Sequence, residues 1–456
     1  MSAALSLPDV PESYLQLQPI RSRANDSILY GVVGLLLFAP LAFGAVEVWA
    51  SSILELGAAL LISIWLLRQV RTGTLILTGN PAFFPMCAFG AIVLLQLLSG
   101  VSAYTHATSS AFMMYAAYAS ACFLITQTLT RTTHIRYAAT ALTAFGTFVA
   151  LFAVLQSLSS NGKIYWLRTP RFGGWIYGPY VNHNHYAGLM EMLAPIPLVF
   201  AFSKYAHGRK RWIAAAAAAF MGATIFLSGS RGGMAAYALQ IALFFWFLFR
   251  ERTRNGVALV LGAFLLVALV SVAWIGGSEV TARISTVASN NKQTEMASDI
   301  RFAIDRDSFH MFAKRPVMGW GLGTFADVYP QFRSFYTNQL VNRAHNDYLE
   351  LLTDTGIMGF AIGIWFLIAV LRPAIRKATT WSGDVNGAVA LAALLGISGI
   401  LAHSFVDFNL QIPANAMLFY VLCAIGAADT RFRNPGRAHP HRSRVDVATD
   451  NPAVPL

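Results

Sequence analysis

His345 closes a polar stretch, Arg343-Ala344-His345-Asn346, that runs straight into an apolar segment. Imidazole gains and loses a proton near neutral pH, so a histidine at the mouth of an apolar helix is a candidate for proton chemistry. If the helix runs on from here at about 100° per residue, His345, Gly356 and Gly359 fall on nearly one side. Asp347, Glu350 and Asp354 fall on the opposite side. Unpaired carboxylates are too costly to place in hydrocarbon, so the first turns are expected to line a wet cleft walled by protein. The two glycines would let a neighbouring span or a lipid chain pass close beneath the histidine.

Three basic features accompany it. Arg231 lies in Ser228-Gly229-Ser230-Arg231-Gly232-Gly233, a turn between two apolar runs whose glycines leave the guanidinium accessible; a snorkelling interface arginine is the competing reading. Arg301 lies in Asp299-Ile300-Arg301-Phe302-Ala303-Ile304-Asp305, a helical stretch in which an exposed i,i+4 pair with Asp305 is the alternative. Lys163, Arg168 and Arg171 precede Gly173-Gly174 and read as a solvated basic loop drawn to anionic headgroups.

Several other patterns are weaker. Asn182-His183-Asn184-His185 could offer two imidazoles to a metal, but no cysteine or carboxylate lies near them in sequence. Hydrogen-bonding residues at a helix start is the preferred reading, and no metal site is assigned. Asp305-Arg306-Asp307 resembles a metal-binding D-x-D, yet on a helix the two aspartates project about 200° apart and read as surface charge. Gly319-Trp320-Gly321-Leu322-Gly323 lacks the spacing of a dinucleotide loop and reads as a turn after Pro316. Asp407, in His403-Ser404-Phe405-Val406-Asp407, could orient a base or a sugar, or be an ordinary interfacial carboxylate.

What positions these residues is a membrane bundle. The chain is 56% hydrophobic and 12% charged over 456 residues, a composition of polytopic membrane proteins. The net charge of +12 is split among short loops and a tail, which excludes a nucleic-acid surface. Cys87, Cys122 and Cys423 each sit in an apolar run and read as core residues. Apolar runs recur at 28–46, 53–67, 83–98, 111–128, 137–156, 185–202, 212–228, 232–249, 256–275, 351–371, 386–406 and 414–428, giving an all-α fold of about twelve spans. The chain thus divides into an N-terminal tail (1–27), spans one to nine (28–275), a large partly helical loop (276–345), spans ten to twelve (346–428) and a disordered tail (429–456). No signal-peptide pattern precedes the first span, which is expected to stay as an anchor. Lys and Arg collect in alternate loops, so both termini are expected to be cytoplasmic and the large loop extracytoplasmic.

The sequence resembles the O-antigen ligase and O-antigen polymerase family of bacterial inner-membrane proteins. The carrying motif is His345-Asn346, nine residues, Gly356, two residues, Gly359, joined by the Ser230-Arg231-Gly232 turn, Arg301 and the segment from Arg315 to Gly323. The resemblance covers residues 178–413; the first five spans match in hydropathy alone. It implies a GT-C-like, metal-independent, inverting glycosyltransferase without cofactors, working at the periplasmic face. Its donor would be undecaprenyl diphosphate-linked O-antigen, its acceptor the lipid A-core, its surroundings membrane lipids, and a monomer is assumed.

Residue chemistry agrees with that expectation. Transfer from a lipid diphosphate builds charge on the leaving group, which the guanidiniums of Arg231 and Arg301 can bind while staying protonated. A sugar hydroxyl needs a positioned base, and His345 is the natural choice. Asn346, Arg171, Asn184, His185 and Asp407 complete the expected substrate-binding set. A polymerase of the same family would use similar arginines. A twelve-span transporter would instead show two similar halves with the long connection after span six, whereas the longest loop here follows span nine.

Overall fold

The computed structural model describes residues 23–428, except 74, 76, 171–173, 252–261, 263–297 and 338–340. The described residues are helical throughout, with two isolated β-bridges and no strand. In chain order the helices are α1 (Arg23–Leu41), α2 (Val48–Thr72), α3 (Phe83–Leu98), α4 (Thr105–Thr128), α5 (Thr132–Leu158), α6 (His183–Leu193), α7 (Pro195–Phe202), α8 (Arg209–Ser228) and α9 (Arg231–Arg250). They continue as α10 (Ser298–Lys314), α11 (Phe325–Val328), α12 (Asp347–Ala378), α13 (Val385–His403) and α14 (Pro413–Ala427).

Among the described residues, eight helical segments are long and apolar enough to cross a membrane, α6 and α7 counting as one, and α1, α3 and α14 are shorter apolar helices. The protein is a polytopic all-α membrane protein. Each of these segments coincides with an expected span. All but one residue of the expected span at 256–275 lie outside the described residues, as does the C-terminal tail, while the last five residues of the expected N-terminal tail belong to α1; Glu251 and Arg301 sit at opposite ends of the bundle. Two of the cysteines, Cys122 and Cys423, are buried as expected, but Cys87 faces outward.

Local sequence explains the breaks. Gly73 and Gly229 adopt the left-handed conformation that closes α2 and α8, a geometry glycine takes without a Cβ clash. Pro195 opens α7 within the α6–α7 span, and Pro413 opens α14, where a missing N–H is harmless. Asn182, Ser230, Asn346 and Asp384 cap α6, α9, α12 and α13 through their side chains. The α6–α7 span and α13 are the most enclosed and form the centre of the bundle.

The two ends are tied differently. At one end the Ala103 N–H donates to the Trp320 carbonyl at 2.7 Å, and Arg315 Nη1 to the Val101 carbonyl at 2.7 Å. There a small apolar core of Ile304, Met311, Phe325, Val328, Tyr329, Val341 and Ala344 joins α10 and α11 and ends on the residue before His345. At the opposite end the Tyr205 hydroxyl donates to the Gly383 carbonyl at 3.0 Å, and the Ser382 hydroxyl to Glu251 at 2.9 Å.

Candidate functional site

Asp407, 1% exposed, lies in the α13–α14 connection with two imidazoles converging on it. Its Oδ1 is 3.7 Å from Nδ1 of His345 and 3.8 Å from Nε2 of His185, just beyond hydrogen-bonding range. Phe408 stands between the two rings, meeting His185 edge-on at 4.7 Å and His345 at 4.8 Å. Nδ1 of His345 and Oδ2 of Asp407 are buried without another partner. Burial by itself would raise the Asp407 carboxyl, but the surrounding His345, His185 and His403 outweigh it and hold the group well below the usual carboxylate range. Asp407 is therefore an anion aimed at the nitrogen of His345 that faces it.

His345 is not part of α12. It precedes the Asn346 cap with φ 55°, a left-handed conformation costing a non-glycine residue about 1–2 kcal/mol. Such strain persists where its surroundings fix it. Here Ala344 is fixed by its N–H donating to Glu350 at 2.9 Å, and the Asn346 carboxamide oxygen accepts from Tyr348 N and Leu349 N. Asn346 thus presents the histidine by starting the helix immediately after it.

The arginines approach from the other side. Arg301 on α10 donates through Nη1 to the Val406 carbonyl at 3.3 Å, next to Asp407, while its Nε is buried without a hydrogen bond. It makes no close ion pair with Asp305, the alternative the sequence offered. Arg231 is exposed at the first position of α9. A Cβ on the adjoining Gly232 would stand 2.7 Å from the His403 ring and 2.9 Å from Val406. Both arginine-bearing segments therefore meet the same short stretch, 403–407, that carries the histidine's carboxylate. Asn184 and His185 are buried at the start of α6, His185 against this stretch; Arg171 lies outside the described residues.

Several expectations need correction. The three carboxylates of α12 line no wet cleft; all are buried and each holds a loop. Asp347 accepts from Ser404 at 2.7 Å and Leu410 N at 3.1 Å, Glu350 pairs with Arg343 at 2.7 Å, and Asp354 accepts from Gly323 N at 2.6 Å. Nor do Gly356 and Gly359 share a continuous helix face with His345. The helix breaks at Gly356 (φ 63°, ψ −167°), where a Cβ would lie 2.3 Å from the Val317 carbonyl oxygen. What passes close is the 316–321 backbone, not a span or a lipid chain: Ile357 N and Met358 N donate to Pro316 and Val317, and Trp320 N and Gly321 N donate to Thr353 and Asp354. Gly359 instead admits the Thr355 side chain just past the break.

Asp307 is not surface charge either; it is 1% exposed and accepts from Ser334 N at 2.8 Å and Ser334 Oγ at 3.0 Å. Arg168 is engaged rather than solvated, bonded to Glu47 at 2.6 Å and stacked over Phe43. The histidines at 183 and 185 do not form a pair: His183 donates to the Ser228 carbonyl at 2.9 Å, while His185 turns to Asp407. Among the described residues, no group of three or more His, Cys, Asp and Glu side chains could hold a metal ion.

Two functional-looking features escaped the sequence. Glu191 and His403 form a buried pair at 2.8 Å beside the Arg231 turn. Gln96, buried on α3, donates to the Met318 and Asp354 carbonyls and accepts from Leu322 N, tying the 315–323 loop to the bundle. A lone glutamate or glutamine inside an apolar run was the available signal.

A membrane-embedded helical bundle with a histidine–carboxylate pair and two arginine segments at one end defines the class. Within it, residues 216–364, the segment that holds Arg231, Arg301 and His345, match the family model described as O-antigen ligase. The match supports a function of the O-antigen ligase or polymerase type in general terms. No curated protein matches the chain.

Proposed function

We propose that the protein is an O-antigen ligase that transfers O-antigen polysaccharide from undecaprenyl diphosphate to a sugar hydroxyl of lipid A-core, in the bacterial inner membrane. Both termini would be cytoplasmic and the site periplasmic. The observation that carries this reading is the meeting of His345, Asp407 and the segments of Arg231 and Arg301 at one end of the bundle. The acceptor oxygen attacks the anomeric carbon opposite the diphosphate, the bond to the diphosphate oxygen breaks, and its electron pair leaves on that oxygen, inverting the configuration. Arg231 and Arg301 hold the departing charge. His345 takes the hydroxyl proton on Nε2, since Nδ1 faces Asp407, which orients the ring and stabilises the imidazolium. The 3.7 Å separation closes with a small movement, as catalytic contacts do when substrate binds. Asn346, Asn184, His185 and Arg171 complete the substrate path in this reading, without metal or cofactor.

Purified protein mixed with lipid-linked glycan and lipid A-core, with products resolved by gel, tests it. Transfer to lipid A-core that continues in EDTA is the expected result. Glycan lengthening on the lipid carrier when lipid A-core is omitted would identify a polymerase instead. Loss of transfer on chelation, restored by one divalent ion, would overturn the metal-free chemistry and move attention to His183 and His185.

A further inference from the structure

Glu191 on α6 and His403 at the end of α13 are 0% and 1% exposed, and Nδ1 of His403 donates to Oε1 of Glu191 at 2.8 Å. Burying such a pair is costly even when its geometry is good, and apolar side chains of similar volume would pack there without that cost. The pair's surroundings show what it holds. Its fixed imidazole edge is the wall against which the Arg231 turn rests: a Cβ on Gly232 would lie 2.7 Å from Cδ2 and 2.8 Å from Nε2 of His403. A Cβ on Gly233 would lie 3.1 Å from Oε1 of Glu191. Further along α9, Gln240 donates to the backbone carbonyls of Glu191 and Leu395, both at 2.8 Å, so the helix that Arg231 begins is tied to the helices of both partners. From the other side His183 donates to the Ser228 carbonyl.

We propose that Glu191 and His403 are positioning residues for Arg231. The buried pair fixes the imidazole edge, the two glycines let the turn seat on it without side chains, and the guanidinium is thereby delivered to the lipid diphosphate. Neither partner touches substrate. This rests on the reading of Arg231 as a donor-holding group.

The test uses the full-length protein in one detergent and measures KM for lipid-linked glycan and for lipid A-core separately, in Glu191→Gln, Gly232→Ala, Arg231→Ala and the double variant Glu191→Gln with Arg231→Ala. Misplacing a binding group by about an ångström can cost up to about a hundredfold. Glu191→Gln and Gly232→Ala are expected to raise the donor KM about tenfold or more, leave the acceptor KM unchanged, and add little to Arg231→Ala in combination. An effect on the acceptor KM with donor kinetics unchanged, or losses that multiply in the double variant, would overturn the proposal while leaving the ligase reading intact. If Arg231→Ala itself leaves both the donor KM and kcat unchanged, the diphosphate assignment falls first. Should Glu191→Gln not fold, Gly232→Ala probes the same contact with the pair intact.

Discussion

The two ends of the bundle treat polar groups in opposite ways. At the end of Tyr205, Ser382 and Glu251, the contacts of those three lie in the open and the groups that go under cover are Asn80, Gln127 and His134, with no buried carboxylate among the described residues. At the end of His345, six carboxylates (Glu191, Asp307, Asp347, Glu350, Asp354 and Asp407) are buried together with His183, His185 and His403. Desolvated carboxylates destabilise a fold unless each is paired or hydrogen-bonded. Asp347, Glu350 and Asp354 are accordingly spent on backbone N–H groups, the Ser404 hydroxyl and one arginine, whereas Asp407 accepts one backbone bond, from the Phe408 N–H at 2.8 Å, and turns the rest of its charge toward two histidines, its Oδ2 accepting no hydrogen bond. The difference separates charges that build the site from charges that work in it, and each variant below asks whether that separation is real.

The largest effect is expected at His345. General-base assistance contributes about 10²–10⁴-fold, so His345→Ala should cripple transfer while donor binding, measured with undecaprenyl diphosphate-glycan in detergent, stays near normal. Arg301→Ala should lose roughly a hundred- to thousandfold in rate and weaken donor binding as well. If the histidine variant alone lost the donor, the division of roles would be reversed.

Building residues should fail in stability instead. A side chain at Gly356 must enter the left-handed region and displace the Val317 carbonyl, so Gly356→Ala is expected to lower the thermal midpoint by the equivalent of about 3 kcal/mol. Glu350→Ala removes the partner of Arg343, itself 30% exposed, and the acceptor of Ala344 N–H. Losing a charge-assisted bond of that kind costs about 2 kcal/mol. Burial lowers the Arg343 guanidinium's proton affinity, but Glu350 more than restores it and holds it above its ordinary value. A Glu350→Ala protein with normal melting and lost transfer would move Glu350 into the working set.

The sequence displays the spans because twenty-residue apolar runs have few other uses, and it displays Arg231 because glycines flank it. It hides whatever depends on chain reversal. A helical wheel drawn from His345 assumes an unbroken helix, and the break at Gly356 with the left-handed His345 invalidates it at both ends. Asp307 reads as exposed because its partner, Ser334, comes from the far side of the head. Glu191 is visible only as a blemish in a span until α13 brings His403 to it. Local periodicity detects partners three or four residues away, and none of these partners is that close.

The smallest effect is expected at Asp305, which lies between the two classes. It sits half-buried on α10, in the electrostatic reach of Arg301 and His345; burial pushes its carboxyl up to about 6, with His345 and Arg301 pulling it back part of the way. In the unfolded chain the same group titrates near about 3.9. Between those values the folded protein holds a proton that the unfolded chain has released, so stability falls as pH rises through that window and stays reduced above it. Asp305→Asn removes the penalty. Its melting temperature should exceed wild type by roughly one or two degrees at pH 7.5, solvent screening keeping the gain small, and the gain should vanish below about pH 4. An Asp305→Asn protein less stable than wild type at pH 7.5 would mean that attraction to Arg301 and His345 outweighs burial, and Asp305 would then belong with the carboxylates that build the site.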